Sequence, residues 1–292
     1  MAEKKLKIEG GLRTKGYFKR NSRDEPLVTI LTVVFNNDKY LENTIKSVLY
    51  QSYSNIEYII IDGGSTDKTL KIISNYDFAI DYWVSEPDEG IYDAMNKGII
   101  LSSGHIIGIL NSDDYYERDT LSKVVFHFLK TKSNLMLVHG AMRKINAKGN
   151  VDSIYGSKDK MSNLLTAPFN HPTCFFHKSF YEEYGLFDTS FSTAADYDLM
   201  LRFQKKNLPS IYVNDILTNF RMTGVTSNKM FPNRQIYLLL RKNGFPIYLS
   251  LVAIAYRFFV YFLKRVIVKL RLMRLKLIIR KAIGYHLDDK DY

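Results

Sequence analysis

A hydrophobic run from Ile106 to Leu110, broken only by Gly108, stops abruptly at Asn111-Ser112-Asp113-Asp114-Tyr115. Such a run reads as a buried strand whose last residues emerge at a sheet edge. Adjacent carboxylates repel each other and favour a cation or proton that relieves them. A divalent metal carrying a diphosphate fits that need, because Mg²⁺ or Mn²⁺ takes a few carboxylate oxygens and leaves positions for phosphate. The plainer alternative is a strand-to-helix loop whose aspartates cap a helix from Arg118 to Lys130.

The elements that would position this pair lie upstream. Pro26 to Phe35 is a β-branched run and hence a buried strand. It stops at Asn36-Asn37-Asp38, and a helix with Leu41, Ile45, Val48 and Leu49 on one face follows. Ile56 to Ile61 is a second strand, ending in Asp62-Gly63-Gly64-Ser65-Thr66-Asp67, with a helix from Lys68 to Ser74. A third strand is expected near Ile80 to Val84, then the turn Glu86-Pro87-Asp88-Glu89-Gly90 and a helix from Ile91 to Ser102. Gly104-His105-Ile106 opens the fourth strand. This alternation predicts an α/β fold with right-handed crossovers, a mostly parallel central sheet and flanking helices. The loops at Asn36, Asp62 and Asp113 then share the carboxyl edge, where open α/β sheets bind nucleotides.

Farther along, Leu135 to Gly140 reads as a strand and Met142 to Ile154 as a hairpin turning at Ala147 to Asn150. His171 to Phe176 is a short extended piece, and Ala195-Asp196-Tyr197-Asp198 begins a helix. From about Gln235 the composition changes. Ile247 to Leu263 is apolar except for Arg257, and Arg257 to Lys281 holds nine basic residues and no acidic one. Val266, Leu270, Met273, Leu277 and Ile278 recur among them at helical spacing. C-terminal amphipathic helices lying on an anionic membrane surface are expected, since the apolar part falls short of the ~20 residues of a span. The alternative is a helical hairpin packed on the domain or on a second subunit, as in a homodimer.

The net charge of +11 calls for a polyanionic partner. Nucleic acid is disfavoured because the C-terminal charges are interleaved with Leu, Ile and Val, where DNA or RNA would want exposed polar and aromatic groups. Hydrophobic content of 46% is too low for a multi-span membrane protein. The single cysteine, Cys174, excludes an internal disulfide framework and fits a reducing compartment. Met1 to Arg23 has no apolar core segment, so no secretory leader is expected. The chain divides into a basic, loosely docked arm (1–26), a main domain (27–234) and C-terminal helices (235–292).

Val28 to Leu121 resembles the inverting glycosyltransferases of family 2. The matching pieces are Thr29 to Asn36, Ser47-Val48-Leu49-Tyr50-Gln51-Ser52-Tyr53, Ile61 to Asp67, Asn96-Lys97-Gly98 and Leu110 to Asp114. The segment from Ser85 to Gly98 looks especially like the subgroup that builds bacterial exopolysaccharide or colanic-acid-type repeat units, as do His171-Pro172-Thr173 and Ala195 to Leu199. The resemblance implies the nucleotide-diphospho-sugar transferase (GT-A) fold, with 27–121 as the nucleotide-sugar half and 122–234 as the acceptor half. It implies a UDP- or GDP-sugar donor, Mn²⁺ or Mg²⁺ as cofactor, and a polyprenyl-diphosphate-linked saccharide as acceptor. It also implies a peripheral place at the cytoplasmic face of the plasma membrane.

Carried over by position, Val33 and Phe35 would border the base, with Asn36 holding their loop. Asp62 would sit near base and ribose, and Asn96 and Lys97 would approach the nucleotide sugar. Asp113, with Asp114 beside it, would hold metal and diphosphate, and Asp196 would take the proton of the acceptor hydroxyl. His171 is a candidate for the acceptor and Arg221 for the diphosphate. The chain departs from the family pattern at three positions. Asn111 replaces the first acid of the D-x-D motif, Gly63 replaces an acid after the second strand, and Ala195 replaces the acid before the base. Asp198 is therefore a rival to Asp196, and the plainer role for Asp196 is a helix cap. An inverting displacement needs one base on the face opposite the leaving group, and charge stabilisation on the departing diphosphate. The alternative is a catalytically inactive nucleotide-sugar-binding or assembly subunit.

Overall fold

The computed structural model describes residues 7–131, 137–156, 169–222 and 233–269. In chain order the elements begin with β1 (Ile8–Gly10), β2 (Val28–Val34), α1 (Leu41–Leu49), β3 (Ile56–Asp62), α2 (Thr69–Asn75) and β4 (Tyr82–Ser85). They continue with α3 (Ile91–Leu101), β5 (Ile106–Ile109), β6 (Tyr115–Tyr116), α4 (Thr120–Lys130), β7 (Leu137–Ile145) and β8 (Val151–Tyr155). The last are β9 (Phe175–His177), α5 (Lys178–Tyr184), α6 (Ala195–Lys205), β10 (Ser210–Arg221), α7 (Asn233–Lys242) and α8 (Ile247–Lys269). Among the described residues the strands form one sheet, ordered β1-β4-β3-β2-β5-β9-β7-β10-β6, with β8 paired to β7.

The sheet is parallel where the candidate site lies and mixed beyond it. β4, β3, β2 and β5 run parallel, with Val34 opposite Asp62 and Leu31 opposite Ile109. β9 pairs antiparallel with both β5 and β7, and β7 runs parallel to β10. Every residue of β2 and β3 is buried, as expected of strands covered on both faces. Side chains alternate between the faces. Leu31, Val33, Ile59 and Ile61 join the core under α3, α5 and α6, whereas Val28, Ile30, Tyr58 and Ile60 join that under α1, α2 and α4. Gly98 on α3 lets the helix lie on the sheet, because a Cβ there would collide with Leu31.

Two boundaries are corrected. The N-terminal arm is part of the sheet, since β1 pairs with β4. Its basic residues meet acids far along the chain: Arg13 faces Glu57 at 3.5 Å, Lys15 Asp77 at 2.5 Å and Lys19 Asp81 at 2.9 Å. The expected break at 234/235 falls inside α7, whose Ile236, Leu239 and Leu240 are buried in the main core.

α8 carries Ile247, Tyr248, Leu251, Val252, Phe258, Phe259 and Phe262 exposed, and buries Ser250 and Ala253. Arg257, the charge interrupting this apolar segment, is turned inward with its guanidinium 5.9 Å from the ring centre of Tyr197. Among the described residues no helix is long and apolar enough to cross a membrane. The basic segment expected from 270 onward lies outside the described residues.

Candidate active site

Parallel register brings the carboxyl ends of β4, β3, β2 and β5 to one edge, and there the connecting loops enclose a cleft of about 470 Å³. Its wall is built from Val33, Phe35 and Asn36 after β2, Asp88, Ile91 and Ala94 around the start of α3, and Asn111 to Asp113 after β5. Tyr40 and Phe220 complete it. Thus Val33, Phe35, Asn36, Asn111 and Asp113 share one cavity. Phe35 is 63% exposed, an aromatic surface open for stacking.

The loops are tied to one another by side-chain to backbone bonds. Asn36, at φ +49°, adopts the left-handed conformation that Asn tolerates best after Gly. Its Oδ1 accepts from the Thr66 amide at 2.8 Å, and its own amide donates to Ser65 Oγ at 2.8 Å. Asn37 Nδ2 donates to Ser112 Oγ at 2.9 Å, and Thr44 Oγ1 donates to the carbonyls of Ser112 at 2.9 Å and Asp114 at 2.6 Å.

The two adjacent aspartates part company. Asp113 is half-buried at the cleft wall. Asp114 is fully buried, and its Oδ1 accepts the Arg221 amide at 2.9 Å while Asn111 Nδ2 lies 3.4 Å from its other oxygen. Burial first, and the Asp113 charge second, hold its carboxyl well above the usual carboxylate range. The expectation of Asp114 as a metal ligand is therefore corrected: it anchors the end of β10 against the strand-end loop. Arg221 follows the same geometry. Its Nη1 donates to the Asp113 carbonyl at 3.0 Å, and its guanidinium lies 4.9 Å and 4.7 Å from the ring centres of Tyr40 and Tyr115.

Two oxygen-bearing side chains of the cleft wall, Asn111 and Asp113, could serve a divalent cation. Asn111 Oδ1 is buried and has no hydrogen-bond partner among the described residues, a neutral oxygen donor in the cleft that Asp113 also lines. No group of three or more His, Cys, Asp or Glu side chains suited to a metal occurs among the described residues. A cation here would draw most of its ligands from water and phosphate, which suits Mg²⁺ or Mn²⁺ carried with a diphosphate.

Three other expected donor contacts go elsewhere. Asp62 is buried and accepts from the Ser65 amide at 3.0 Å and from Ser85 Oγ at 2.5 Å, so it shapes the loop after β3 without lining the cleft. Asn96 is spent on Phe187, donating to its carbonyl and accepting from its amide, both at 2.9 Å. Lys97 lies 3.3 Å from Glu86 and 3.2 Å from Asp93, bracing the turn before α3. These polar side chains find partners brought by the fold, and the sequence spacing carries no mark of them.

Asp196 sits half-buried in the first turn of α6, whose N-cap position is Ala194, so it is not the cap. Its Oδ1 accepts the Tyr92 hydroxyl at 3.0 Å, and Tyr92 stands on α3 between Ile91 and Ala94 of the cleft wall. In the sequence Tyr92 reads as a core aromatic that could otherwise stack on sugar or base, and nothing there marks its hydroxyl as the partner of Asp196. Burial, then the Asp196 charge, raises its hydroxyl pKa. His171 is buried, edge-on to Phe187 at 5.6 Å. Desolvation lowers its pKa and the nearby Asp196 opposes that. Cys174 is buried, with its thiol pushed up by burial and then by Asp196, an inert state. The rival Asp198 is removed: it is buried, paired with Arg202 at 2.9 Å and accepts from Asn243 Nδ2 at 2.8 Å. A second hollow of about 570 Å³, lined by Asp198, Arg202, Lys242 and Asn243 among others, shares no residue with the cleft, and these charges are already paired there.

The chain is 32% identical over 222 residues to an uncharacterized glycosyltransferase of Mycobacterium tuberculosis, covering 70% of this chain and 78% of that one. Among solved structures it resembles S. aureus TarS 1–349 in complex with UDP-GlcNAc, with a TM-score of 0.59 at 17% identity, covering 74% of this chain and 65% of that one. It likewise resembles the mannosyltransferase PcManGT of Pyrobaculum calidifontis in complex with GDP-Man and Mn²⁺, at TM-score 0.57 and 19% identity, covering 84% and 78%. Both likenesses are of the GT-A fold. The model of "Glycosyl transferase family 2" matches residues 29–185. That span runs from β2 to the end of α5 and takes in every strand-end loop of the cleft, so the chain belongs to the family 2 glycosyltransferases.

Proposed function

We propose that the chain is a metal-dependent inverting glycosyltransferase. It moves a sugar from a UDP- or GDP-sugar to a hydroxyl of a polyprenyl-diphosphate-linked saccharide in bacterial surface polysaccharide synthesis. The observation that carries this is the strand-end cleft in a family 2 chain, lined by Asp113 and by Asn111, whose Oδ1 has no hydrogen-bond partner among the described residues. Those two residues would hold Mn²⁺ or Mg²⁺, which when bound supplies charge stabilisation to the diphosphate. Arg221, steadied by two rings, adds positive charge beside Asp113. Asp196, oriented by the Tyr92 hydroxyl, accepts the proton of the attacking hydroxyl. The resemblance of Ser85 to Gly98 to exopolysaccharide enzymes supports the class of acceptor.

Membrane association at the cytoplasmic face belongs to the same reading. The outward apolar row of α8, with Arg257 turned in, suits an interface location. Vesicles containing anionic lipid should sediment the wild type and not a Phe258→Glu/Phe259→Glu variant; equal sedimentation counts against the anchor. The reaction itself is tested by incubating the enzyme, Mn²⁺ and a panel of UDP- and GDP-sugars with polyprenyl-diphosphate-linked saccharide, and measuring released nucleoside diphosphate. Release that depends on both acceptor and metal is the expected result. Nucleotide binding without turnover on any acceptor would favour the inactive binding subunit suggested by Asn111 and Ala195.

A further inference from the structure

Helix α6, which carries Asp196, starts on Ala194 and Ala195, and no side chain caps its first turn among the described residues. Alanine at the N-cap gives a helix start no local anchor. Thr193 could supply one, but its hydroxyl and its amide both donate to Gln235 Oε1, at 2.7 Å and 3.1 Å, and Gln235 Nε2 donates to Ser192 Oγ at 2.7 Å. Gln235 belongs to α7. The other flank of Asp196 is held from the same unit: Asn243 Nδ2, just past the end of α7, donates to Asp198 Oδ1 at 2.8 Å, and Arg257 of α8 lies over the Tyr197 ring. Between these holds the Asp196 carboxylate accepts the Tyr197 amide at 2.9 Å and the Tyr92 hydroxyl at 3.0 Å. Both α7 and α8 lie beyond the span 29–185 that matches the family model.

We propose that Gln235 is a positioning residue for Asp196: it fixes the backbone that enters α6, and through it the direction in which the carboxylate meets the acceptor hydroxyl. This rests on Asp196 being the base. Asp196 is bonded to its own turn through the Tyr197 amide, so a shift of residues 192–195 carries the carboxylate away from the Tyr92 hydroxyl. Proton transfer needs the carboxylate within hydrogen-bond reach of the attacking group, and a misplacement of about 1 Å can cost 10²-fold in rate. Gln235 is itself firmly placed, because its neighbour Ile236, with Leu239 and Leu240, is buried in the main core. The C-terminal helices thereby become part of the catalytic apparatus. A clamp that merely stabilised the fold would slow the reaction with or without the base, whereas one acting through Asp196 loses its effect once that carboxylate is gone.

The test is a cycle of full-length proteins: wild type, Gln235→Ala, Asp196→Asn and Gln235→Ala/Asp196→Asn. Nucleoside diphosphate released from UDP- or GDP-sugar, with Mn²⁺ and polyprenyl-diphosphate-linked saccharide, gives kcat. Calorimetric titration of UDP and GDP gives Kd, and thermal melting controls for folding. Gln235→Ala should lower kcat roughly 10- to 100-fold. Its Kd should stay within about twofold of wild type, and it should add no more than about a twofold loss to Asp196→Asn. Gln235→Glu keeps the acceptor for Thr193, and the Ser192 hydroxyl can turn to donate to it, so most of the rate returns. If Gln235→Ala does not fold, Thr193→Val, which deletes one hydroxyl of the clamp, replaces it in the cycle with roughly a three- to tenfold loss. An unchanged kcat, the same fold-loss in both backgrounds, or a loss that falls on nucleotide affinity overturns the proposal alone. Asp196→Asn that turns over as fast as the wild type, or wild type that uses no acceptor, overturns the reading of the base and this proposal with it.

Discussion

The cleft's strand-end wall and the region around Asp196 are held by different forces. At the strand ends, short loops are cross-tied by Asn36, Asn37, Ser65 and Thr44 through bonds of 2.8–2.9 Å to neighbouring loops, with Thr44 reaching the Asp114 carbonyl at 2.6 Å. Around Asp196 the framework is aromatic. Phe187 stacks on Tyr92 at 5.5 Å and takes His171 edge-on at 5.6 Å, and Asn96 clamps its backbone. A wall meant for diphosphate and ribose needs many fixed polar directions. A wall that holds one carboxylate against apolar surroundings needs packing and one orienting hydroxyl. The same contrast appears in miniature at Asp113 and Asp114, neighbours in sequence of which one faces the cleft and the other the protein interior.

The largest effects should come from the two carboxylates assigned chemistry. Asp196→Asn is expected to lower kcat by about 10²–10⁴ with nucleotide affinity unchanged, as for loss of a general base. Asp113→Asn should lower kcat by about 10²–10³ and raise the Mn²⁺ concentration needed for half-maximal rate. If both losses fall on affinity alone, the division of labour between the walls fails. Asn96→Ala comes next. It leaves the Phe187 amide and carbonyl without their partners and should cost about 1–3 kcal/mol in denaturant unfolding, yet leave the Kd for nucleoside diphosphate within twofold. A marked rise in that Kd would return Asn96 to the donor side.

Tyr92→Phe removes the hydroxyl that orients Asp196 and should reduce kcat roughly tenfold, with nucleotide binding untouched. The smallest effect concerns pH. Burial holds the His171 ring below the usual imidazole range, whereas in the unfolded chain it titrates near 6.5. Between those values the unfolded chain binds more protons. The associated stability is therefore fully present above about pH 6.5 and is lost as pH falls through the folded value. His171→Gln should flatten this: its melting temperature should drop less than that of the wild type between about pH 7.5 and pH 5.5. Parallel curves for the two proteins would show that His171 carries no such linkage.

Much of this was written in local pattern. The runs Val28–Val34 and Ile56–Asp62 are apolar enough that only a doubly covered strand suits them, and both are wholly buried. The helices at 41–49, 91–101 and 120–130 followed from periodicity and turn residues; the strand expected at 135–140 and the first arm of the hairpin expected over 142–154 are one continuous strand, β7, which turns at the Gly-Asn loop into β8. Strand β10 gave no such signal, since its polar residues Asn214, Asp215 and Asn219 interrupt the pattern. Its last residues nevertheless return to the strand-end loop and bury Asp114.

The sequence by itself determined the alternation of strands and helices, the family and the edge at which a nucleotide sugar should collect, because these depend on hydrophobic period and on motifs contiguous in the chain. Only the tertiary structure decided which polar groups remain free to act. Asp62, Asn96, Lys97, Asp114 and Asp198 are each satisfied by partners that folding brings to them, whereas Asp88 and Asn111 each keep an oxygen without one among the described residues. A side chain's type fixes what it can bind, but whether it is already bound depends on neighbours that local sequence does not name.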